Sequence, residues 1–579
     1  MINSLARLLL LSCVVSCKST PPPTESLELP PREETTTRTA DPSPPPEDRP
    51  DESGAGAAMA LAEGKAGNAD PLGGTAGEGT GRYGTIGMGA GGGGTGHGSF
   101  GTGTGHGYGV GGGRGGMRGR VATRTEPRST EGYAHKNANA WTTVANDRLS
   151  TFAVDVDTAS YTLVRRKLVE GTLPAKDAVR VEEMVNYFHY AYPAPAANAP
   201  APFSVTTDLA PSPFDANRHV LRVGVSTQPQ PVSERRAANL VFLVDVSGSM
   251  RGTDRLPLAQ RSLRLLVDTL EDGDTVALVT YAGATRLVLP ATGIEHRARI
   301  MEAIEDLSAG GSTAMNDGIT LAYREAVKGL KNNAISRVIV LSDGDANVGE
   351  TDQAKMLKMI EGKVKEGVTL STIGFGVGNY QDARMEQLAN KGNGNNFYID
   401  GLSEAKRVFQ QQVGATLEVI AKDVKLQVDF DPTRVKRYRL VGYENRDIAD
   451  KDFRDDKVDA GEIGPGHQVT AIYEVELIAG SAPPATVHVR HKTTKGIQAT
   501  EAAYSVTAAP APTFASATQD LRFAFAVAAF GDVMRGAREA ENWNLPAIRA
   551  LAAGAAGADQ ERGAFVQLVD RAIELRKNS

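Results

Sequence analysis

The chain has 579 residues, with 63 Lys and Arg set against 69 Asp and Glu, and a net charge of −6. That balance gives no support for nucleic-acid binding, which calls for a basic face. With two cysteines and nine histidines, and no cluster that joins them, zinc chemistry and a disulfide framework both lack a basis.

In chain order, residues 1–17 have the build of a bacterial export signal: Arg7 gives the positive charge, Leu8 to Val15 the short apolar core, and Ser16 the small residue before the cut. The apolar run is too short to span a bilayer. Val14-Val15-Ser16-Cys17 resembles a lipobox, which implies lipid attachment at Cys17. The alternatives are an ordinary signal peptide that contains Cys17, or Cys13 as a rival site with a shorter apolar core. Cleavage before Cys17 leaves one cysteine, used up by lipid, so the exported protein rests on its hydrophobic core alone. Lys18 follows Cys17, in the place where Asp is associated with inner-membrane retention. This favours the outer membrane over the periplasmic face of the inner one.

Residues 18–72 are rich in Pro, Glu, Thr and Asp, and residues 73–119 are about half glycine. Neither stretch can bury enough apolar surface to offset chain entropy, so 18–135 is expected to be a disordered tether. A flexible coil of about 118 residues has an r.m.s. reach of about 60 Å. G-x-G-x-x-G matches inside the glycine tract carry no weight, because no strand precedes them.

Ordinary composition begins near Tyr133. Phe152, Val154 and Val156 alternate with polar or small residues as in a half-buried strand. Asp155 and Asp157 invite a metal reading, but Asp157-Thr158 is better placed to end the strand and cap a helix over 159–169. A second helix is expected over 177–190 through Val181, Met184, Val185 and Phe188. Strand-like runs at 203–209 and 219–226 come before an α/β block, and runs at 424–430, 437–443, 468–477, 486–492 and 502–507 come after it. Strands on both sides place the block inside a β-sandwich. After Pro512 the chain turns helical: Leu521 to Met534 is apolar nearly all round and should be buried, and a helix over 560–576 carries Phe565, Leu568, Val569 and Ile573 in a stripe.

The block itself, 237–417, alternates strand and helix, the pattern of a mostly parallel, doubly wound sheet. Its centre is Asn239 to Met250, NLVFLVDVSGSM. The run Leu240 to Val244 fits a buried parallel strand, and it stops at Asp245-Val246-Ser247-Gly248-Ser249. In open α/β sheets, ligands bind just beyond such carboxyl ends. One carboxylate and two hydroxyls are hard oxygen donors, suited to Mg²⁺. Two more oxygen-bearing loops follow, Gly310-Gly311-Ser312-Thr313 and Ser342-Asp343-Gly344-Asp345, the second again ending an apolar run, Val338 to Leu341.

On these residues the block resembles the von Willebrand factor type A (vWA) family and its metal-ion-dependent adhesion site. The resemblance implies Asp245, Ser247 and Ser249 as the first metal loop, Thr313 as the second and Asp343 as the third, around Mg²⁺ (or Mn²⁺ or Ca²⁺). Ser342 stands where the family often has Thr, and Ala314 where Asn is common; neither change removes a ligand oxygen. Asp317 and Asp345 are nearby acids better read as supporting groups or caps. The flanks, including Arg165-Arg166 and Val181 to Phe188, resemble a bacterial group typified by YfbK.

The expected organisation is therefore signal 1–17, tether 18–135, helical segment 136–200, sandwich strands 201–236, vWA domain 237–417, sandwich 418–508 and helical segment 509–579. Two carboxylates and three hydroxyls leave a divalent ion residual positive charge and room for one outside oxygen. A partner's Asp or Glu carboxylate fits that vacancy. The expected function is a membrane-anchored, metal-dependent protein-binding module of the cell envelope that is not an enzyme. The alternatives are a metal-dependent hydrolase or an envelope scaffold without a metal-dependent ligand. H-E-x-x-H, Walker A and G-x-S-x-G motifs are absent, and no general base stands out. His488 and His491, three apart in a strand, should face opposite sides.

Overall fold

The computed structural model describes residues 131–579 except 155–156, 197, 200, 231–234, 313, 332–333, 345–349, 377, 379, 413–417, 459, 495, 497 and 579. The export signal, Cys17, the tether through residue 130, Asp155, Thr313 and Asp345 therefore lie outside the described residues. No helix among the described residues is long and apolar enough to cross a membrane.

The chain begins with β1 (Thr142–Thr143), β2 (Leu149–Ala153), α1 (Ala159–Val169), the short α2 (Val181–Val185), β3 (Phe203–Pro211) and β4 (His219–Thr227). The α/β block follows as β5 (Ala238–Asp245), α3 (Leu256–Val267), β6 (Thr275–Tyr281), β7 (Thr285–Gly293), α4 (Arg297–Glu305), α5 (Met315–Lys328), β8 (Ile335–Ser342), α6 (Glu350–Lys365), β9 (Val368–Gly374), α7 (Asp382–Lys391), β10 (Asn396–Tyr398) and α8 (Leu402–Lys406). The chain then resumes strands with β11 (Ala421–Phe430), β12 (Val435–Val441), β13 (Gln468–Leu477), β14 (Ala485–Thr493) and β15 (Ala499–Ser505), and ends in α9 (Gln519–Arg535), α10 (Leu545–Ala556) and α11 (Gln560–Asn578).

Strands from both sides of the block build two antiparallel sheets, ordered β1-β12-β13-β4-β3 and β15-β14-β11-β2. They share one core, in which Phe152, Leu426 and Val428 from one sheet meet Leu221, Val223 and Tyr473 from the other. This is the expected sandwich, and the α/β block is spliced between β4 and β11. In β14 the alternation is strict: His491 is buried against Phe203 while His488 faces out toward Glu501. The outer face of the five-stranded sheet, through Ala210, Val220, Val441 and Ile472, is covered by α1, α2 and the C-terminal helices.

The α/β sheet has the order β10-β9-β8-β5-β6-β7, all parallel except the edge strand β7. Leu240, Phe242 and Val244 of β5 face α3 and α4, whereas Val241 and Leu243 face α5 and α6. A strand covered on both faces has no polar side to show, which is why it reads as a continuous apolar run. The chain leaves β5 toward β6 on one side and enters β8 on the other. The point where strand order reverses therefore lies between the carboxyl ends of β5 and β8.

Two expectations need correction. The helix expected over 177–190 is only α2, because the Asn186 side chain ends it. Asn186 Nδ2 donates to the Glu182 and Thr470 carbonyls, and its Oδ1 takes the Thr470 N–H at 2.7 Å, so the chain is pinned to β13. Asp157 does not cap α1: its carboxylate accepts from the Asn396 N–H at 2.7 Å and from Arg446 at 2.5 Å. Within the expected helical segment 509–579, helix α10 was not singled out; its Ala- and Gly-rich face is thin in large apolar residues, but Asn544 Oδ1 caps the Ala547 N–H at 2.8 Å and Leu545 and Ile548 are buried.

Candidate metal centre

Asp245 is the last residue of β5, and Asp343 directly follows β8. Both are fully buried, so the sheet brings two carboxylates to its switch point. Asp245 Oδ1 accepts the Ser247 N–H at 2.8 Å, which turns the chain out of the strand. Its Oδ2 accepts from Ser342 Oγ at 2.9 Å and from Tyr281 Oη at 3.2 Å. With both oxygens oriented, the carboxylate has one defined aim. Burial pushes its pKa up to about 6 against the pull of the Ser247 and Ser342 hydrogen bonds, and the neighbouring Asp343 charge adds to the rise.

The two hydroxyls of the first loop stand together: Ser247 Oγ and Ser249 Oγ are 2.9 Å apart, Ser247 buried and Ser249 at the opening. The second loop is stitched to the first by two backbone bonds, Gly248 N–H to Gly311 O at 3.0 Å and Gly310 N–H to Val246 O at 2.7 Å. Thr313 itself is outside the described residues, but the loop that carries it lies against the Asp245–Ser249 turn. Asp317, in the first turn of α5, is exposed and suits a helix-terminal role rather than a ligand. In the third loop, Gly344 has φ +78°, and a Cβ there would come within 2.6 Å of the Gln381 nitrogen. Glycine is what lets the chain turn beside Asp343. Among the described residues, the carboxylates and hydroxyls at the centre are all oxygen donors, which fits a hard divalent cation.

Three supporting groups were missed at the level of sequence. Ser342 was noticed only as a departure from the family pattern, yet its Oγ orients Asp245 and also accepts the Gly344 N–H at 2.9 Å. Tyr281 is the residue paired with Asp245 across β5 and β6, so strand register could have found it. Arg255 carried no local signal; its Nη1 donates to the Ser249 carbonyl at 2.5 Å and lies 3.5 Å from Asp343 Oδ2.

A second acidic group is present away from this centre. Asp157, Glu183 and Glu386 bring carboxylate oxygens within 4.8 Å of one another, all buried. Two guanidiniums already occupy that space: Arg180 lies on Glu183 and Asp382, and Arg446 on Asp157 and, at 3.5 Å, on Glu386. The positive charge a cation would supply is supplied by arginine, and the cluster is an ion network that ties α7 to the frame.

The chain matches the von Willebrand factor type A domain over residues 239–411, a von Willebrand factor segment over 127–222, and "Uncharacterized protein YfbK, C-terminal" over 415–483 and 479–575. It is 39% identical over 478 residues to the protein YfbK of Escherichia coli (strain K12), spanning 78% of this chain and 82% of that one. The protein sll0103 of Synechocystis sp. is 32% identical over 191 residues, 33% of this chain and 44% of its own length. Among solved structures, a von Willebrand factor type A protein from Catenulispora acidiphila aligns at 19% identity with a TM-score of 0.39, covering 63% of this chain and 89% of that one. The protein BatB from Bacteroides thetaiotaomicron aligns at 20% identity with a TM-score of 0.27, covering 31% and 97%.

Proposed function

Because the chain belongs to the YfbK family of von Willebrand factor type A proteins, we propose that it is a divalent-metal-dependent protein-binding module held at the cell envelope by lipid on Cys17. A von Willebrand factor type A domain points to protein interaction as the general role; the metal, the anchor and the nature of the ligand are our extension. The observation that carries the reading is the meeting of Asp245, Ser247, Ser249 and Asp343 at the switch point of the sheet, with the Gly310–Ser312 loop bonded beside them.

In this reading Asp245, Ser247, Ser249, Thr313 and Asp343 hold Mg²⁺, or Mn²⁺ or Ca²⁺, from the side of the sheet. When bound, the ion supplies Lewis-acid attraction for one outside oxygen ligand. The protein's own part is orientation. Ser342 and Tyr281 fix one oxygen of Asp245 and the Ser247 N–H fixes the other, so the carboxylate needs no reorganisation when the ion arrives. Arg255 draws part of the Asp343 charge, which leaves the bound ion more positive toward a partner's Asp or Glu. The partner is a protein, not nucleic acid, and the anchor belongs to the outer membrane, or to the periplasmic face of the inner membrane.

The test is capture of a partner from envelope extract by the full chain, with Mg²⁺ and after chelation. Capture that needs Mg²⁺ and disappears in Ser249→Ala supports the reading. Capture indifferent to both overturns it, as does substrate turnover in a hydrolase screen that is lost in Asp245→Asn.

A further inference from the structure

At the other end of β8, about 20 Å from Asp343 by strand rise, the chain buries a second charged group. Arg337 is 3% exposed. Its Nε donates to Thr369 Oγ1 at 3.0 Å and its Nη1 to Ser371 Oγ at 3.4 Å, both on β9. Among the described residues no carboxylate lies within ion-pair distance of it, and Nη2 has no hydrogen-bond partner. The other two arginines buried as deeply are treated differently: Arg222 lies on Asp208, and Arg439 on Glu474 and Asp532. Glu462 acts on it through space, but without a direct bond, and a guanidinium so deeply buried with no direct counter-ion is costly unless something fills that role.

Arg337 lines two cavities at the junction of the α/β block and the sandwich, an inner one of about 260 Å³ and an outer one of about 1000 Å³. Seven basic and four acidic side chains line the outer cavity. Lys391, whose Nζ lies 2.8 Å from Glu361 in the same wall, belongs to both cavities, and Lys422 stands exposed in the outer one. Glu462 is the acid in both walls; it accepts from Asn393 at 3.4 Å, and burial raises its pKa against the pull of Lys422 and Arg337. Burial also lowers Arg337 to about 10, which leaves it charged at neutral pH.

We propose that this cavity binds a compact oxyanion, a phosphate or a small carboxylate, with the Arg337 guanidinium as its inner anchor and Lys391 and Lys422 at the mouth. Guanidinium is the side chain best shaped for either group, because its N–H fork matches two oxygens at once. The site is separate from the metal centre and does not depend on it.

The experiment is calorimetric titration of the full chain, stripped of metal and dialysed free of chelator. Sodium phosphate and sodium succinate are run in turn at constant ionic strength, with sodium chloride as the control. Saturable binding of one equivalent is expected for at least one of the two, and which one binds identifies the anion. Arg337→Gln is expected to weaken it at least about tenfold. Should that variant not fold, Lys391→Ala combined with Lys422→Ala is expected to weaken it several-fold, because both charges sit at the mouth. The proposal is overturned if neither anion binds saturably, if Arg337→Gln binds as the parent does, or if Arg337→Gln does not fold and the lysine pair changes nothing.

Discussion

Asp245→Asn separates the two things the Asp245 carboxylate does. Amide replaces carboxylate with almost no change of shape. Its Oδ1 can keep the Ser247 N–H, and its Nδ2 can donate to Ser342 Oγ and Tyr281 Oη, which are able to accept. Without metal the parent buries two carboxylates near one guanidinium, so the variant should be as stable as the parent or up to about 1 kcal/mol more stable. With metal the order reverses. For a dissociation constant of about 0.1 mM, 10 mM Mg²⁺ stabilises the parent by about 2.7 kcal/mol. Unfolding entropy grows with chain length, and for a body of over 400 residues that energy raises Tm by about 3 °C. Scanning calorimetry of parent and variant, each with and without 10 mM MgCl₂, reads this directly. An equal Mg²⁺ shift in both proteins would refute the ligand role. A metal-free variant destabilised by more than about 2 kcal/mol would show that the carboxylate is there for structure.

Three further outcomes are expected. Arg439→Met should cost about 3–5 kcal/mol in urea unfolding, because it takes one of two guanidiniums from each of the buried carboxylates Glu474 and Asp532, at the join between the five-stranded sheet and α9. Glu182→Gln should stabilise the protein increasingly as pH rises. Burial, with Glu444 and Glu183 nearby, pushes the Glu182 carboxyl up to about 7 from an unfolded value near 4.5. The native state thus holds the extra proton: this contribution is whole below pH 4.5 and is lost as pH rises through 7. Unfolding at pH 5 and pH 8 should show little difference at the first and a gain of about 1–3 kcal/mol for Gln at the second. Gly318→Val should cost about 2–3 kcal/mol and weaken the Mg²⁺ response, since a Cβ there meets Tyr281 Cβ at 2.9 Å and Leu243 Cδ1 at 3.1 Å, and α5 must back away from the sheet that holds the site.

The parts of the fold legible in sequence are those where one short stretch meets one environment. β5 and β8 are covered on both faces, so their apolar runs are unbroken and their ends are sharp; Asp245 and Asp343 stand at those ends. The helix α9 is buried all round and reads so. What stayed hidden depends on distant partners. Asp157 looks like a cap until Arg446, 289 residues away, takes its carboxylate. Asn186 sits within a regular helical pattern and stops the helix only because β13 passes beside it. Arg337 lies in a strand whose pattern is unremarkable, and its burial depends on the sandwich closing over that end of β8.

Those same long connections decide what the smallest working piece is. The segment that matches a von Willebrand factor type A domain, 239–411, carries Asp382 and Glu386 in α7, but Arg180 and Arg446, which neutralise them, come from outside it. Arg166 of α1 reaches Asp254 at 2.7 Å, a few residues beyond Ser249, and Glu131 accepts the Gly378 N–H at 2.8 Å just after β9. Cutting the block out would strand buried carboxylates in α7 and loosen both rims of the proposed metal face, each at a cost that a marginally stable domain cannot absorb. The frame is therefore part of the site, and a ligand measured on residues 237–417 alone would report on a weakened version of it. The comparison that isolates the frame is Arg166→Ala in the full chain: it leaves all five proposed metal-ligand positions in place, so any loss of Mg²⁺ response must come through the frame, by way of Asp254 before α3 or of Tyr398 in β10.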